Sequence, residues 1–198
     1  MPLSPPAPRR HLHTRQVQCF GYQRDDGLWD IEGRVTDTKT YRYEKLLSGA
    51  VEAGTPVHDM WIRITLDNRY KIHAIETSTE WAPFDICGDV APNFQELVGL
   101  TIGRGWRQAI KERLGGTKGC THLVELLGPV ATVAFQTIAP GRDPDHLDGR
   151  ARGERRANVS RKPYFIDGCH AWASDGPQVE REFPQFYQGP AKSAGVEG

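Results

Sequence analysis

In LWDIEGRVTD, residues 28–37, Trp29, Ile31 and Val35 alternate with Asp30, Glu32 and Arg34. That is the period-2 signature of a strand with one apolar face. Asp25-Asp26-Gly27 immediately before it is a hairpin turn, so Gln16 to Gln23 is predicted to pair with it antiparallel. A second hairpin follows: His58, Met60, Ile62, Ile64 and Leu66 share one face, Asp67-Asn68 turns, and Lys71 to Thr79 returns. Residues 16–79 therefore read as a meander.

Beyond it the spacing becomes helical. Ala91 to Val98 carries Phe94, Leu97 and Val98 behind Pro92, near a helix start. Trp106 to Leu114 is a second helix, stopped by Gly115-Gly116. A third opens near Thr121, with Leu123, Leu126, Leu127, Val130, Val133, Ala134 and Ile138 on one stripe and a kink expected at Pro129. Tyr164 to Trp172 and Val179 to Phe183, around Ser174-Asp175-Gly176, read as a late hairpin. The predicted class is α+β: an antiparallel meander with three helices on one face and a C-terminal hairpin.

Residues 1–10 are Pro-rich and read as a flexible segment, 11–187 as a single domain, and 188–198 as a disordered tail. Within the domain, 140–162 holds seven basic and four acidic residues and few apolar ones, a solvated loop or a lid for an anionic ligand.

The chain has 198 residues, enough for one well-filled core. Its 25 Lys and Arg balance 25 Asp and Glu, which argues against non-specific nucleic-acid binding. No run reaches the roughly 18 apolar residues of a membrane span. MPLSPPAPRRHLHTR, residues 1–15, has no apolar signal core, which points to the cytoplasm. Cys19, Cys87, Cys120 and Cys169 lie far apart, against both a disulfide framework and a zinc-finger spacing.

Gly119-Cys120-Thr121-His122-Leu123-Val124-Glu125 is the densest chemical constellation. A thiol in the first turn of a helix meets free N–H groups and the positive dipole end. His122 and Glu125, three apart, can project together. The trio either does chemistry or packs and hydrogen-bonds structurally. His58 continues an apolar strand face and should point inward, as a core histidine or a functional one. Asp37 ends the Trp29 face, as a general base with a raised pKa or as a turn cap. Cys87, Cys120 and His122, with His58 or Asp59, would satisfy a four-coordinate zinc or iron by ligand type. His11 and His13 can share one side of an extended segment, as incidental terminal residues or as ligands. Trp61, Tyr41 and Tyr43 offer aromatic surface for a planar ligand.

RHLHTR, GLWDIEG, TDTK, HDMW, GCTHLVELL and DGC together resemble the bacterial DUF2889 family, a domain of unknown function, from about residue 5 to 187. The resemblance implies a cofactor-independent lyase acting on lignin-derived aromatic compounds, releasing formaldehyde by a retro-aldol step. On that reading His58, Asp37, His122 and Glu125 are the acid–base candidates, and Arg63 and Lys39 would stabilise anionic charge. Trp61 would bind the substrate. The implied partner is a small aromatic molecule, with no nucleic acid or membrane, and a homodimer as the assembly considered. A similarity to iron–sulfur scaffolds and sulfur acceptors of the NifU/SufE type rests on the second hairpin and on Gly119-Cys120 opening a long helix. It implies a metal or cluster module using Cys87, Cys120 and His122. A third reading is a non-catalytic protein that binds an aromatic ligand.

Overall fold

A computed structural model describes residues 3–45, 49–141, 160–163 and 165–189. Two compact units divide the chain, Met1–Asp143 and Pro144–Gly198.

The first unit is built on a four-stranded antiparallel sheet. Strands β1 (His13–Gln23), β2 (Trp29–Lys39), β5 (Pro56–Leu66) and β6 (Ile72–Trp81) lie in the order β1-β2-β5-β6. A small hairpin, β3 (Tyr43–Lys45) and β4 (Gly49–Val51), is inserted between β2 and β5. The alternation in β2 does what its pattern demands. Trp29, Ile31, Val35 and Asp37 are buried on one face, opposite Leu66, Ile64, Met60 and His58 of β5. Asp30, Glu32 and Arg34 take the other face, as do Trp61 and Arg63 of β5.

Helices cover the apolar face. A 3-10 segment, Ala91–Leu97, buries Phe94 and Leu97 over β6. Helix α1 (Trp106–Leu114) buries Trp106, Ile110 and Leu114, spaced by four, after Gly105 in the left-handed region at φ 84°. Helix α2 (Thr121–Gly141) continues through Pro129 and packs chiefly on β1 and β2 with Leu123, Leu126, Leu127, Val130, Ala134 and Ile138. Each leucine, valine or isoleucine among them contributes about 1.5–3 kcal/mol by leaving water. Length and composition alone would let α2 cross a membrane, which the sequence reading did not anticipate. Here its apolar stripe is spent on the sheet.

Close approach of α2 depends on two glycines. A Cβ at Gly33 would stand 2.7 Å from Val130 Cγ2, and one at Gly21 would collide with Thr137 Oγ1. The start of α2 therefore lies over the end of β2 and the beginning of β1.

The second unit corrects the expected late hairpin. Ile166, Val179 and Phe183 form a small core with Phe165, Trp172, Phe186 and Tyr187 against it. The segment read as its second strand is helix α3 (Pro177–Glu182). Pro177 has its φ preset for the first helical turn, and Val179 and Phe183, four apart, meet on one face rather than alternating. Residues 142–159 of the charged loop, Tyr164 and residues 190–198 of the tail lie outside the described residues.

Candidate functional site

One row of the sheet carries the site. Arg15 of β1 is paired with Asp37 of β2, which is paired with His58 of β5, all on the helix-covered face. The β2–β5 register shifts immediately after Asp37, ending the regular ladder. The first turn of α2 sets His122 and Glu125 above this row. Cys120 is the residue before the helix, and its carbonyl accepts the Val124 N–H at 2.9 Å.

Asp37 is the hub, with its side chain wholly removed from solvent. Oδ1 accepts from Arg15 Nε and from His13 Nε2, both at 2.9 Å. Oδ2 accepts from Arg15 Nη2 at 2.8 Å and from His58 Nδ1 at 3.0 Å. The four acceptor sites of the carboxylate are filled. Burial pushes the Asp37 carboxyl up, but the hydrogen bonds from Arg15, His13 and His58 together with the Arg15 charge outweigh it and hold the pKa well below the usual range. This corrects the raised-pKa base and the turn cap expected for Asp37: it is a permanent anion that orients its neighbours.

The ionised carboxylate fixes a tautomer. Since Asp37 can only accept, His58 Nδ1 carries the proton and Nε2 is left with a lone pair. The His122 ring stacks on His58 with centroids 3.7 Å apart and planes tilted by 31°. Its Nε2 lies 4.0 Å from Asp37 Oδ2, and its Nδ1 lies 3.9 Å from Cys120 Sγ. Burial, the His122 charge and the Arg15 charge lower the His58 pKa against the pull of Asp37. Burial and then Arg15 lower that of His122. Both imidazoles thus favour the neutral form at neutral pH.

Glu125 does not meet His122, as the structural reading of that pair supposed. It takes Arg15 Nη1 at 2.5 Å, so Arg15 bridges it to Asp37. Lys39 lies two residues beyond Asp37 on the same face. Its Nζ is 5.4 Å from the Tyr41 and Tyr43 ring centroids, and it donates to Tyr41 Oη at 3.3 Å. The Tyr43 hydroxyl is buried and has no hydrogen-bond partner among the described residues.

Three expectations are corrected. Arg63 and Trp61 sit on the opposite face of the sheet from the Asp37 row. There Arg63 pairs with Glu32 at 2.8 Å and Glu76 at 3.0 Å, and Trp61 lies under the Arg34 guanidinium. Asp59 belongs to that face too, paired with Arg34. Cys87 lies in a 3-10 turn, Asp85–Gly88, beyond β6. Among the described residues, the His, Cys and carboxylate groups close enough to share an ion are Asp37, His58 and His122, with neither cysteine.

His13 and Arg15 are the residues that sequence reasoning undervalued. Extending the Asp25-Asp26-Gly27 hairpin by strict pairing would have carried Arg15 opposite Asp37, and His13 falls on the same face by parity.

A pH dependence of stability follows. The folded pKa values of His58 and His122 lie below their ordinary 6.5, so the unfolded chain protonates first. The stability these groups lend is complete above about pH 6.5 and drains as pH falls through their folded values. Asp37 extends the loss below about pH 4, in the same sense. Urea midpoints should decline from pH 7 to 5, and less steeply in His122→Gln. A midpoint that rises on acidification would contradict this.

A family model described as "Protein of unknown function (DUF2889)" matches residues 13–136. The match begins at the first residue of β1 and ends inside α2, so it contains every member of the Asp37 cluster. No curated protein and no solved structure matches the chain.

Proposed function

The chain belongs to the DUF2889 family, and we propose that it is a small-molecule lyase in which the Asp37–His58 pair acts as general base and His122 returns the proton. The substrate class is a lignin-type aromatic compound bearing a hydroxymethyl group, cleaved with release of formaldehyde. The Asp37–His58 hydrogen bond carries this reading, because it leaves a lone pair on His58 Nε2 at a partly open end of the sheet.

The step balances with these residues alone. His58 Nε2 takes the hydroxyl proton, and the freed electron pair forms the carbonyl of formaldehyde. The C–C bond breaks, and its pair moves to a ring-conjugated carbon. That carbon takes a proton from His122, and transfer between the stacked imidazoles resets the pair. Asp37 stabilises the His58 imidazolium formed in between and stays ionised itself. Lys39 supports the same reading as a cation beside the row. The aromatic substrate is taken from the family resemblance, the proton chemistry from the geometry.

The test is a formaldehyde-release assay of the whole chain in chelating buffer, over hydroxymethyl-bearing aromatic dimers. Formaldehyde and the shortened aromatic product should appear in equal amounts. An inert protein across that panel would end the lyase reading. The iron–sulfur reading is not preferred, since Cys87 and Cys120 are not gathered with His122 into one ligand group.

A further inference from the structure

We propose that Asp37, His58 and His122 also form a seat for a divalent transition-metal ion of the zinc type, and that filling it silences the proton chemistry. The second half rests on the lyase reading; the first does not.

One ligand atom from each of the three residues lies within 4.8 Å of the other two. Asp37 Oδ2 is 3.0 Å from His58 Nδ1 and 4.0 Å from His122 Nε2. Ligand atoms around a tetrahedral zinc, with bonds of about 2.0–2.1 Å, stand roughly 3.4 Å apart, so small side-chain rotations would close the seat. Two imidazoles and one carboxylate are a donor set that suits zinc, cobalt or ferrous iron and leaves positions for water.

Surrounding contacts already hold these ligands. His13 Nε2 and Arg15 Nε fix Asp37 Oδ1, while Oδ2 holds Arg15 Nη2 at 2.8 Å and turns its other acceptor site to His58 Nδ1, where an ion would replace the N–H contact. Cys120 Sγ stands by His122 Nδ1, on the side of the ring away from the seat. Outer partners of this kind orient metal-binding side chains. The Arg15 charge opposes a cation, and Glu125 on its far nitrogen offsets it. Asp37 and Glu125 against Arg15 leave one net negative charge for the ion to meet.

Inhibition follows from the tautomer. An ion on His58 Nδ1 displaces the proton that now points at Asp37, and that proton moves to Nε2. The lone pair that would have taken the substrate hydroxyl proton is then gone. One N–H bond breaks at Nδ1 and one forms at Nε2, the ion takes the Nδ1 lone pair, and no oxidation state changes.

The experiment titrates the chelator-treated full chain with Co2+, followed by visible absorption, and with Zn2+, followed by calorimetry. One ion per chain should bind, with ligand-field bands of nitrogen and oxygen donors. Affinity should fall by about tenfold or more in His122→Gln and in His58→Gln, and stay within about twofold in Cys87→Ser. Paramagnetically shifted imidazole signals in the unaltered chain with Co2+ test the ligands without any substitution. Absence of saturable uptake, uptake that survives both histidine variants, or a thiolate-to-cobalt band would overturn the seat. The two readings fail separately. Binding without formaldehyde release under any condition removes the lyase and keeps the seat, while release that added Zn2+ leaves untouched keeps the lyase and removes the switch.

Discussion

Replacing His58 with glutamine is expected to lower formaldehyde release by about 10²–10⁴-fold, the range that a positioned general base supplies. Glutamine fills much of the imidazole volume and can still donate to Asp37, so the sheet end should remain assembled. What disappears is the lone pair at Nε2. Asp37→Asn should lose activity for a different reason. An amide can donate where the carboxylate only accepts, so His58 is no longer held with its proton on Nδ1. Arg15 would also lose its bidentate partner, and Asp37→Asn should therefore reduce stability as well as rate. Arg63→Ala is the control, because Arg63 lies across the sheet with Glu32 and Glu76. Rates measured by product appearance, beside circular dichroism of each variant, separate loss of chemistry from loss of fold. Near-normal turnover in His58→Gln would remove His58 from the mechanism.

The contrast between Arg63 and Asp37 shows where the sequence was legible. Alternation in residues 28–37 and 58–66 was strong enough to assign faces, because Trp29, Ile31 and Val35 in one segment and Met60, Ile62, Ile64 and Leu66 in the other recur with even spacing. The same parity places Arg63 and Trp61, at odd positions of β5, away from His58. Their charge and aromaticity suggested a place beside His58 that their register excludes. Arg15 and His13 escaped for the opposite reason. They occupy the inward face of β1, but polar residues there mask the alternation, and only the pairing with β2 reveals their partner. The role of Asp37 was hidden too, since its pKa depends on donors from β1 and β5 that no local pattern contains. In the second unit, residues 177–183 are too short for either period to dominate. The Gly176-Pro177 step and the four-residue spacing of Val179 and Phe183 favour the helix that forms.

Gly33→Ala should test whether the seating of α2 links fold to chemistry. The new methyl carbon would stand 2.7 Å from Val130 Cγ2 and 3.3 Å from Ile62 Cγ2, closer than carbon atoms pack. Gly33 is paired with Cys19 and Ile62 in the middle of the sheet, so the backbone beneath it is held from both sides. The strain must be relieved by α2 moving outward. Overpacking of this kind costs about 1–3 kcal/mol, a drop in Tm of roughly 3–10 °C for a chain of this size. The same movement lifts the helix that bears His122 off the row of Arg15, Asp37 and His58, so turnover should fall further than the stability loss alone explains at a temperature where the variant is folded. Val130→Ala alone leaves a cavity and should cost about 2 kcal/mol. Combined with Gly33→Ala it removes the colliding atom, so the double variant should be more stable than the sum of the single losses by about 1 kcal/mol or more. It should also recover much of the lost rate, because α2 can settle back onto the sheet. Strictly additive losses would mean that the sheet bends to admit the methyl group, and the position of His122 would then owe nothing to Gly33.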